Sequence, residues 1–83
     1  MTIKKLLIKI ENNQKNVRFN DFTILLEAFG FGQMRKRGSH RIYEHPNIPA
    51  MVNAQNENGQ AKPYQIKQFL AIIETYNLKL EGE

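Results

Sequence analysis

The spacing of apolar residues changes at Phe31, and this change constrains the fold more than any other feature of the chain. Before it, apolar residues recur at the i, i+3, i+4, i+7 spacing of an amphipathic helix: Phe22, Leu25, Leu26 and Phe29. Gly30 is a natural helix stop. After it, "FGQMRKR" and "SHRIYEH" are typical of two short strands joined at Gly38-Ser39. We therefore predict a helix over residues 20–29 followed by a β-hairpin.

Two more helices and a third strand are predicted on either side of this unit. Positions 2–11 form an amphipathic helix with an apolar face of Ile3, Leu6, Leu7 and Ile10. Pro63 suits the first position of a last helix, whose apolar stripe is Ile66, Phe69, Leu70, Ile73 and Tyr76. The alternation in "IPAMVNAQ" predicts a strand with one face made by Ile48, Ala50, Val52 and Ala54. The turn formers in "NENGQAK" predict a loop after that strand.

This order of elements predicts an α+β fold in a single domain, residues 1–83. Consecutive strands with short connections form an antiparallel meander, here of three strands in the order α-α-β-β-β-α. Helices must cover one face of such a sheet to bury a core. The other face is left for water or a ligand.

The formal net charge of +4 favours a polyanionic partner. The chain has no cysteine, which removes disulfide scaffolds and thiolate metal sites and is compatible with a reducing compartment. The start "MTIKKLLIKIENN" is a poor signal peptide, and no apolar run approaches the length of a membrane span. We expect a cytoplasmic protein that does not enter a membrane.

Four basic residues fall within seven positions of the predicted hairpin: Arg35, Lys36, Arg37 and Arg41. They are either a solvated hairpin that blunts an edge strand or a surface that binds phosphate. Strand alternation puts Arg35 and Arg37 on one face and Lys36 on the other. In the second interpretation, Tyr43 is able to stack on a base or on an arginine.

His40 is a candidate metal ligand, structural residue or proton-transfer group. A metal site is the least favoured, because His45 has the opposite strand parity and no cysteine or HxxxH pattern supports it. A histidine among arginines is well placed to act on a phosphodiester. By parity His40 shares a face with Ile42, which we expect to point into the core, so a catalytic His40 must lie at the sheet margin. We expect His45 to be structural or a minor contributor.

Three neighbouring positions complete the candidate site. Gly38 permits a positive φ and the close approach of a backbone. Ser39 either hydrogen-bonds phosphate or shapes the turn. Lys62 either assists phosphate binding at a helix N-terminus or serves ordinary capping and solvation.

The stretch "LLEAFGFGQMRKRGSHRIYEHP" resembles the HicA family of toxins from type II toxin-antitoxin systems, which carry a Gly-Ser-His core on a strand-turn-strand unit. The resemblance covers residues 20–78 and leaves residues 1–15 as an N-terminal helical extension. It implies a double-stranded-RNA-binding-like fold and metal-independent cleavage of mRNA, with no cofactor. It also implies that His40 is the catalytic residue and that a HicB-type antitoxin binds the protein.

We therefore expect an endoribonuclease toxin whose RNA-binding residues are Arg35, Lys36, Arg37, Gly38, Ser39, Arg41, Tyr43 and Lys62. The alternative is a non-catalytic RNA-binding module of the same fold, in which His40 is structural. A third hypothesis is a small protein-interaction domain whose charge serves solubility. A helix-turn-helix DNA reader is weaker, because the basic residues cluster on a hairpin and not on a helix.

Overall fold

The computed structural model describes residues 2–80, so the ends of the predicted domain, Met1 and residues 81–83, lie outside it. Three helices and four strands follow one another in the order α1 Ile3–Asn12, α2 Phe19–Ala28, β1 Gly32–Arg37, β2 His40–Glu44, β3 Met51–Glu57, β4 Gln60–Ala61 and α3 Pro63–Thr75. The predicted α+β class is confirmed. None of the described helices has the length and apolar content needed to cross a bilayer.

The three helices lie within one or two residues of their predicted positions. Thr2 caps α1, since its Oγ1 accepts a hydrogen bond from the Lys5 N–H at 3.2 Å. Gly30, at φ 92°, ends α2 in the left-handed conformation that glycine adopts without strain. Pro63 occupies the first turn of α3, where its missing N–H costs nothing.

The sheet is antiparallel with the strand order β1-β2-β3-β4, so the prediction of three strands was one strand short. β3 continues to Glu57, and Asn58 and Gly59 form a two-residue turn at φ 53° and 86° that leads into β4. Two positive φ values in an Asn-Gly pair are typical of a type I′ hairpin. β3 also begins only at Met51, so Ile48 and Ala50 precede the strand whose inner face they were predicted to share.

The core lies between one face of the sheet and the helices. Its buried apolar residues are Leu6, Ile10, Val17, Phe19, Phe22, Leu25, Leu26, Phe29, Phe31, Tyr43, Val52, Ala54, Ala61, Ile66 and Phe69. The rings of Phe22, Phe29 and Phe31 each meet Phe69 edge to face, which is a preferred aromatic geometry. α2 and α3 pack on β3 and α2 packs on β4. All six residues of β1 are exposed, so the basic strand is an open edge of the sheet.

Candidate functional site

The hairpin formed by β1 and β2 places two arginines and His40 on the face of the sheet that the helices leave open. Tyr43 is buried and so points towards the helices, which puts His40 and Ile42 on the opposite face. Arg37 lies opposite His40, and Arg35 lies opposite Ile42. Directly paired residues of antiparallel strands share a face. Arg35, Arg37 and His40 therefore share the open face, at the end of the sheet where the hairpin turns.

The turn has two residues and is hydrogen-bonded to β3. Gly38 has φ 60°, and Ser39 follows it without a positive φ, as in a type II′ turn. The Ser39 carbonyl accepts a hydrogen bond from the Asn56 N–H at 2.9 Å. A Cβ at Gly38 would meet no atom within 4 Å, so the space beside the turn is open to a ligand.

A β-bulge between Gln33 and Arg35 adjusts β1 to this turn. The two-residue turn holds Arg37 opposite His40, while Phe31 is anchored in the core just before the strand. The bulge absorbs the extra residue between these two anchors.

The His40 ring makes a polar contact with a side chain of β3. Its Nδ1 lies 3.3 Å from Oδ1 of Asn53, which projects from β3 onto the same open face. A carboxamide oxygen accepts hydrogen bonds, so this contact is a hydrogen bond in the tautomer that carries the proton on Nδ1. In that tautomer Nε2 of the neutral ring is an acceptor. Asn53 was not predicted as a site residue, although its parity on β3, one residue from Val52 and Ala54, marks it as outward-facing.

Three other predicted residues of the hairpin lie on the face towards the helices: Lys36, Arg41 and Tyr43. Lys36 pairs with Arg41, whose guanidinium carbon lies 4.9 Å from the ring centroid of Phe19 at the start of α2. Tyr43 is 1% exposed and therefore offers no ring face to a base, so the stacking role predicted for it does not fit this structure. The expectation that Ile42 points into the core was wrong, because Tyr43 pairs with Val52 and fills that side.

Lys62 and His45 both have local partners. The Lys62 ammonium lies 3.2 Å from Oε2 of Glu57, in a partly exposed ion pair of the kind that contributes about 0–1 kcal/mol. The His45 ring packs edge to face on Phe31, with 5.2 Å between centroids. Its Nδ1 accepts a hydrogen bond from the Asn47 N–H at 3.1 Å. These contacts are consistent with the structural role expected for His45.

A buried glutamine of α3 supports β3 behind His40. Gln65 is 1% exposed, and its Oε1 accepts a hydrogen bond from the Gln55 N–H at 2.8 Å. Gln55 is the β3 partner of His40. The sequence did not indicate a role for Gln65, because a glutamine outside the apolar stripe of α3 is expected to be exposed.

The open face is positively charged near the turn. Within residues 2–80, neither Arg35 nor Arg37 has a carboxylate partner, and Glu44, the acid of β2, lies at the far end of the strand opposite Met51. No cluster of three potential metal-binding side chains occurs among these residues. The arrangement combines two unpaired guanidinium groups, which suit phosphate oxygens, with an imidazole that has a free nitrogen.

The chain matches a known protein family. A family described as "HicA toxin of bacterial toxin-antitoxin" matches residues 19–74, from the first residue of α2 almost to the end of α3. The match contains the whole sheet and the site, and α1 lies before it. Comparison with curated proteins and with solved structures found no match.

Proposed function

The chain belongs to the HicA toxin family, and from that premise we propose that it is a metal-independent endoribonuclease that cleaves mRNA with His40 as its catalytic residue. Members of this family are toxins of toxin-antitoxin systems. The observation that carries the proposal is the common position of His40, Arg35 and Arg37 on the open face beside the hairpin turn. A phosphodiester lying on this face meets a proton-transfer group and two unpaired positive charges together.

The chemistry proposed is attack by the RNA's own 2′-OH on the adjacent phosphorus. The 2′-oxygen forms a bond to phosphorus, the bond from phosphorus to the 5′-oxygen breaks, and the products are a 2′,3′-cyclic phosphate and a 5′-OH. One proton leaves the 2′-OH and one is delivered to the departing 5′-oxygen. His40 serves as the base that accepts the first, because its contact with Asn53 leaves Nε2 as the acceptor. Such a group contributes about 10²–10⁴-fold in rate.

Water supplies the second proton, since one imidazole does not serve as base and acid in the same step. Arg35 and Arg37 stabilise the charge that grows on the non-bridging phosphate oxygens. Their exposed position on an edge strand lets an extended RNA strand reach them without any opening of the sheet. Gly38 and Ser39 bring the backbone of the turn close to the same phosphate.

Asn53 acts as a positioning residue for His40. Its carboxamide oxygen holds the proton on Nδ1 and keeps the ring orientation that presents Nε2 to the ligand. It stands on β3, so the position of His40 depends on the pairing between β2 and β3.

A non-catalytic RNA-binding module is the second candidate. The half-buried environment of His40 and its contact with Asn53 also suit a structural histidine. Both functions predict RNA binding that weakens with salt, with a slope of about 0.7 per neutralised phosphate on single strands.

The experiment that separates the two uses metal-free wild type, His40→Ala and His45→Ala with end-labelled single-stranded RNA. Product ends and bound fraction are read from the same samples. We expect cleavage with a cyclic phosphate end by wild type and His45→Ala, and binding without cleavage by His40→Ala. Binding without cleavage by all three proteins would leave the RNA-binding module as the function.

We further propose that a HicB-type antitoxin covers the open face of the sheet. An antitoxin that covers His40 and the two arginines would exclude RNA by competition for the same charges. Overexpression of the wild type should arrest growth, and an adjacent small gene should relieve the arrest. Normal growth at high expression of folded wild type would count against the toxin function.

A further inference from the structure

A cleft lies between α1 and the start of α2, and all of its lining residues except Asp21 precede the residues that match the family. It has a volume of about 570 Å³, and its lining residues come from positions 6–18 together with Asp21. Its floor is apolar, because Leu6, Ile10 and Val17 are buried. Its polar lining consists of Lys9, Asn12, Asn13, Lys15, Asn16, Arg18 and Asp21.

We propose that this α1–α2 cleft binds the backbone of the RNA strand beyond the cleavage site, with Lys15 and Arg18 as its phosphate contacts. The inference rests on the proposed function, because it concerns the same substrate. Three cations against one acid give the cleft a charge of +2. None of Lys9, Lys15 and Arg18 has an ion-pair partner within residues 2–80, so their charges are available to a ligand.

The cleft is preformed by hydrogen bonds of the loop between α1 and α2. The Gln14 Nε2 group donates to the Ile10 and Glu11 carbonyls at 2.7 and 2.9 Å, which caps the C-terminal end of α1. The Asn13 Oδ1 accepts from the Lys15 N–H at 2.9 Å. Asn16 then turns the chain at φ 59°, a left-handed conformation that asparagine tolerates. A ligand therefore meets Lys15 on an ordered loop and pays little for ordering it.

Contacts of the backbone place the cleft at the same end of the sheet as His40. The Ala61 N–H donates to the Val17 carbonyl, and the Phe19 N–H donates to the Gly59 carbonyl, each at 2.9 Å. These bonds hold Arg18 beside β4. Phe19, the next residue, lies under the Arg41 guanidinium, and Arg41 is the chain neighbour of His40. Arg41 faces the helices, so a strand that leaves the open face at the hairpin turn rounds this end of the sheet to meet Arg41 and then Arg18.

The composition of the cleft favours a nucleic acid over an acidic protein segment. Side-chain amides, here Asn12, Asn13 and Asn16, both donate and accept hydrogen bonds, as the edges of unpaired bases require. The apolar floor is suited to the flat face of a base or sugar. The carboxylates of an acidic peptide would accept hydrogen bonds from the cations and the amide N–H groups, but they supply no donor for the amide oxygens and no flat apolar face for the floor.

The test is fluorescence anisotropy with a labelled 12-nucleotide single-stranded RNA, in a His40→Ala background so that the probe stays intact. Lys15→Ala and Arg18→Gln are compared with Lys4→Ala, which removes the same charge from the opposite, exposed face of α1. We expect each cleft variant to weaken binding by about fivefold or more and to lower the salt slope by about 0.7. Lys4→Ala should change affinity by less than about twofold, as expected for a screened surface charge. Lys15→Glu should weaken binding further than Lys15→Ala, with circular dichroism confirming that each variant is folded.

Equal affinity of the cleft variants and Lys4→Ala would overturn the proposal and leave the cleft for an acidic protein partner. The nuclease function is judged separately, by cleavage with otherwise wild-type protein. Weaker RNA binding by the cleft variants without any cleavage by the wild type would retain the cleft and reject the nuclease. Cleavage by the wild type, with no specific loss of RNA affinity in the cleft variants, would retain the nuclease function and reject the cleft as an RNA site.

Discussion

The Oε1 of Gln65 in α3 accepts a hydrogen bond from the Gln55 N–H at 2.8 Å, and Gln55 is the residue of β3 that pairs with His40. The buried amide thus connects the last helix to the strand behind the proposed catalytic residue. Gln65 also donates from Nε2 to the Tyr64 hydroxyl at 3.5 Å. Among the described residues, every buried side-chain nitrogen and oxygen has a hydrogen-bond partner, so burial of this amide leaves no polar atom unsatisfied.

Replacing this amide by an apolar side chain of similar length should destabilise the protein. Gln65→Met leaves the Gln55 N–H without its partner, at a cost of about 1–3 kcal/mol. Gln68→Met, on an exposed position of the same helix, is the control and should change stability by less than about 0.5 kcal/mol. Urea unfolding followed by circular dichroism measures both. Equal midpoints for the two variants would show that the buried hydrogen bond contributes nothing.

The open-face arginines should contribute more to RNA binding and cleavage than the lysine between them. Arg35→Ala and Arg37→Ala each remove a cation from the face of His40, whereas Lys36→Ala removes the same charge from the other face. We expect each arginine variant to lower the salt slope of RNA binding by about 0.7 and to reduce the cleavage rate. Lys36→Ala should do neither to a comparable degree. The measurement is anisotropy at several salt concentrations with single-turnover cleavage, and identical losses in all three variants would mean that total charge alone attracts the RNA.

Substitution at Asn53 should change the pH dependence of cleavage. In Asn53→Asp a carboxylate replaces the amide beside Nδ1 and favours the protonated ring, which is not a base. If His40 acts as the base, the rising limb of the pH–rate profile moves to higher pH. Asn53→Ala removes the positioning contact without adding charge, and it should lower the rate with a smaller shift of the limb. A profile unchanged in Asn53→Asp would separate Asn53 from the chemistry of His40.

Gly38 should be required at the hairpin turn because of its positive φ. Gly38→Ala forces a side chain into φ 60°, which costs about 1–2 kcal/mol although the surrounding space is empty. Gly32→Ala is the matched control, because that residue also has open space around it but no positive φ. We expect a lower melting temperature and weaker cleavage for Gly38→Ala only. A comparable loss for Gly32→Ala would point to general fraying of the hairpin.

Local patterns were sufficient for the helices, the hairpin and the family. The 3.6-residue spacing, Gly30 and Pro63 located α2 and α3 because each signal acts on its own element. The Gly38-Ser39 turn was recognisable for the same reason. The short β4 had its own local signal, the Asn58-Gly59 pair, but this was interpreted as part of a loop.

Such local patterns did not predict which residues lie on the open face. Alternation establishes that Ile42 and Tyr43 point to opposite sides of β2, but it does not establish which side the helices cover. That choice depends on Val52 and Ala54 of β3, whose burial against α2 and α3 requires Tyr43 on the same side.

Local sequence patterns therefore predicted the three helices, the first three strands, their order and a basic hairpin with His40 at its turn. Only packing between distant parts of the chain established that Arg35, Arg37 and His40 lie on the open face, that Tyr43 is buried and that Asn53 contacts the imidazole. The physical reason is that helices and turns are specified by contacts between near neighbours in the chain. Face selection and side-chain partnership arise from packing between residues far apart in it.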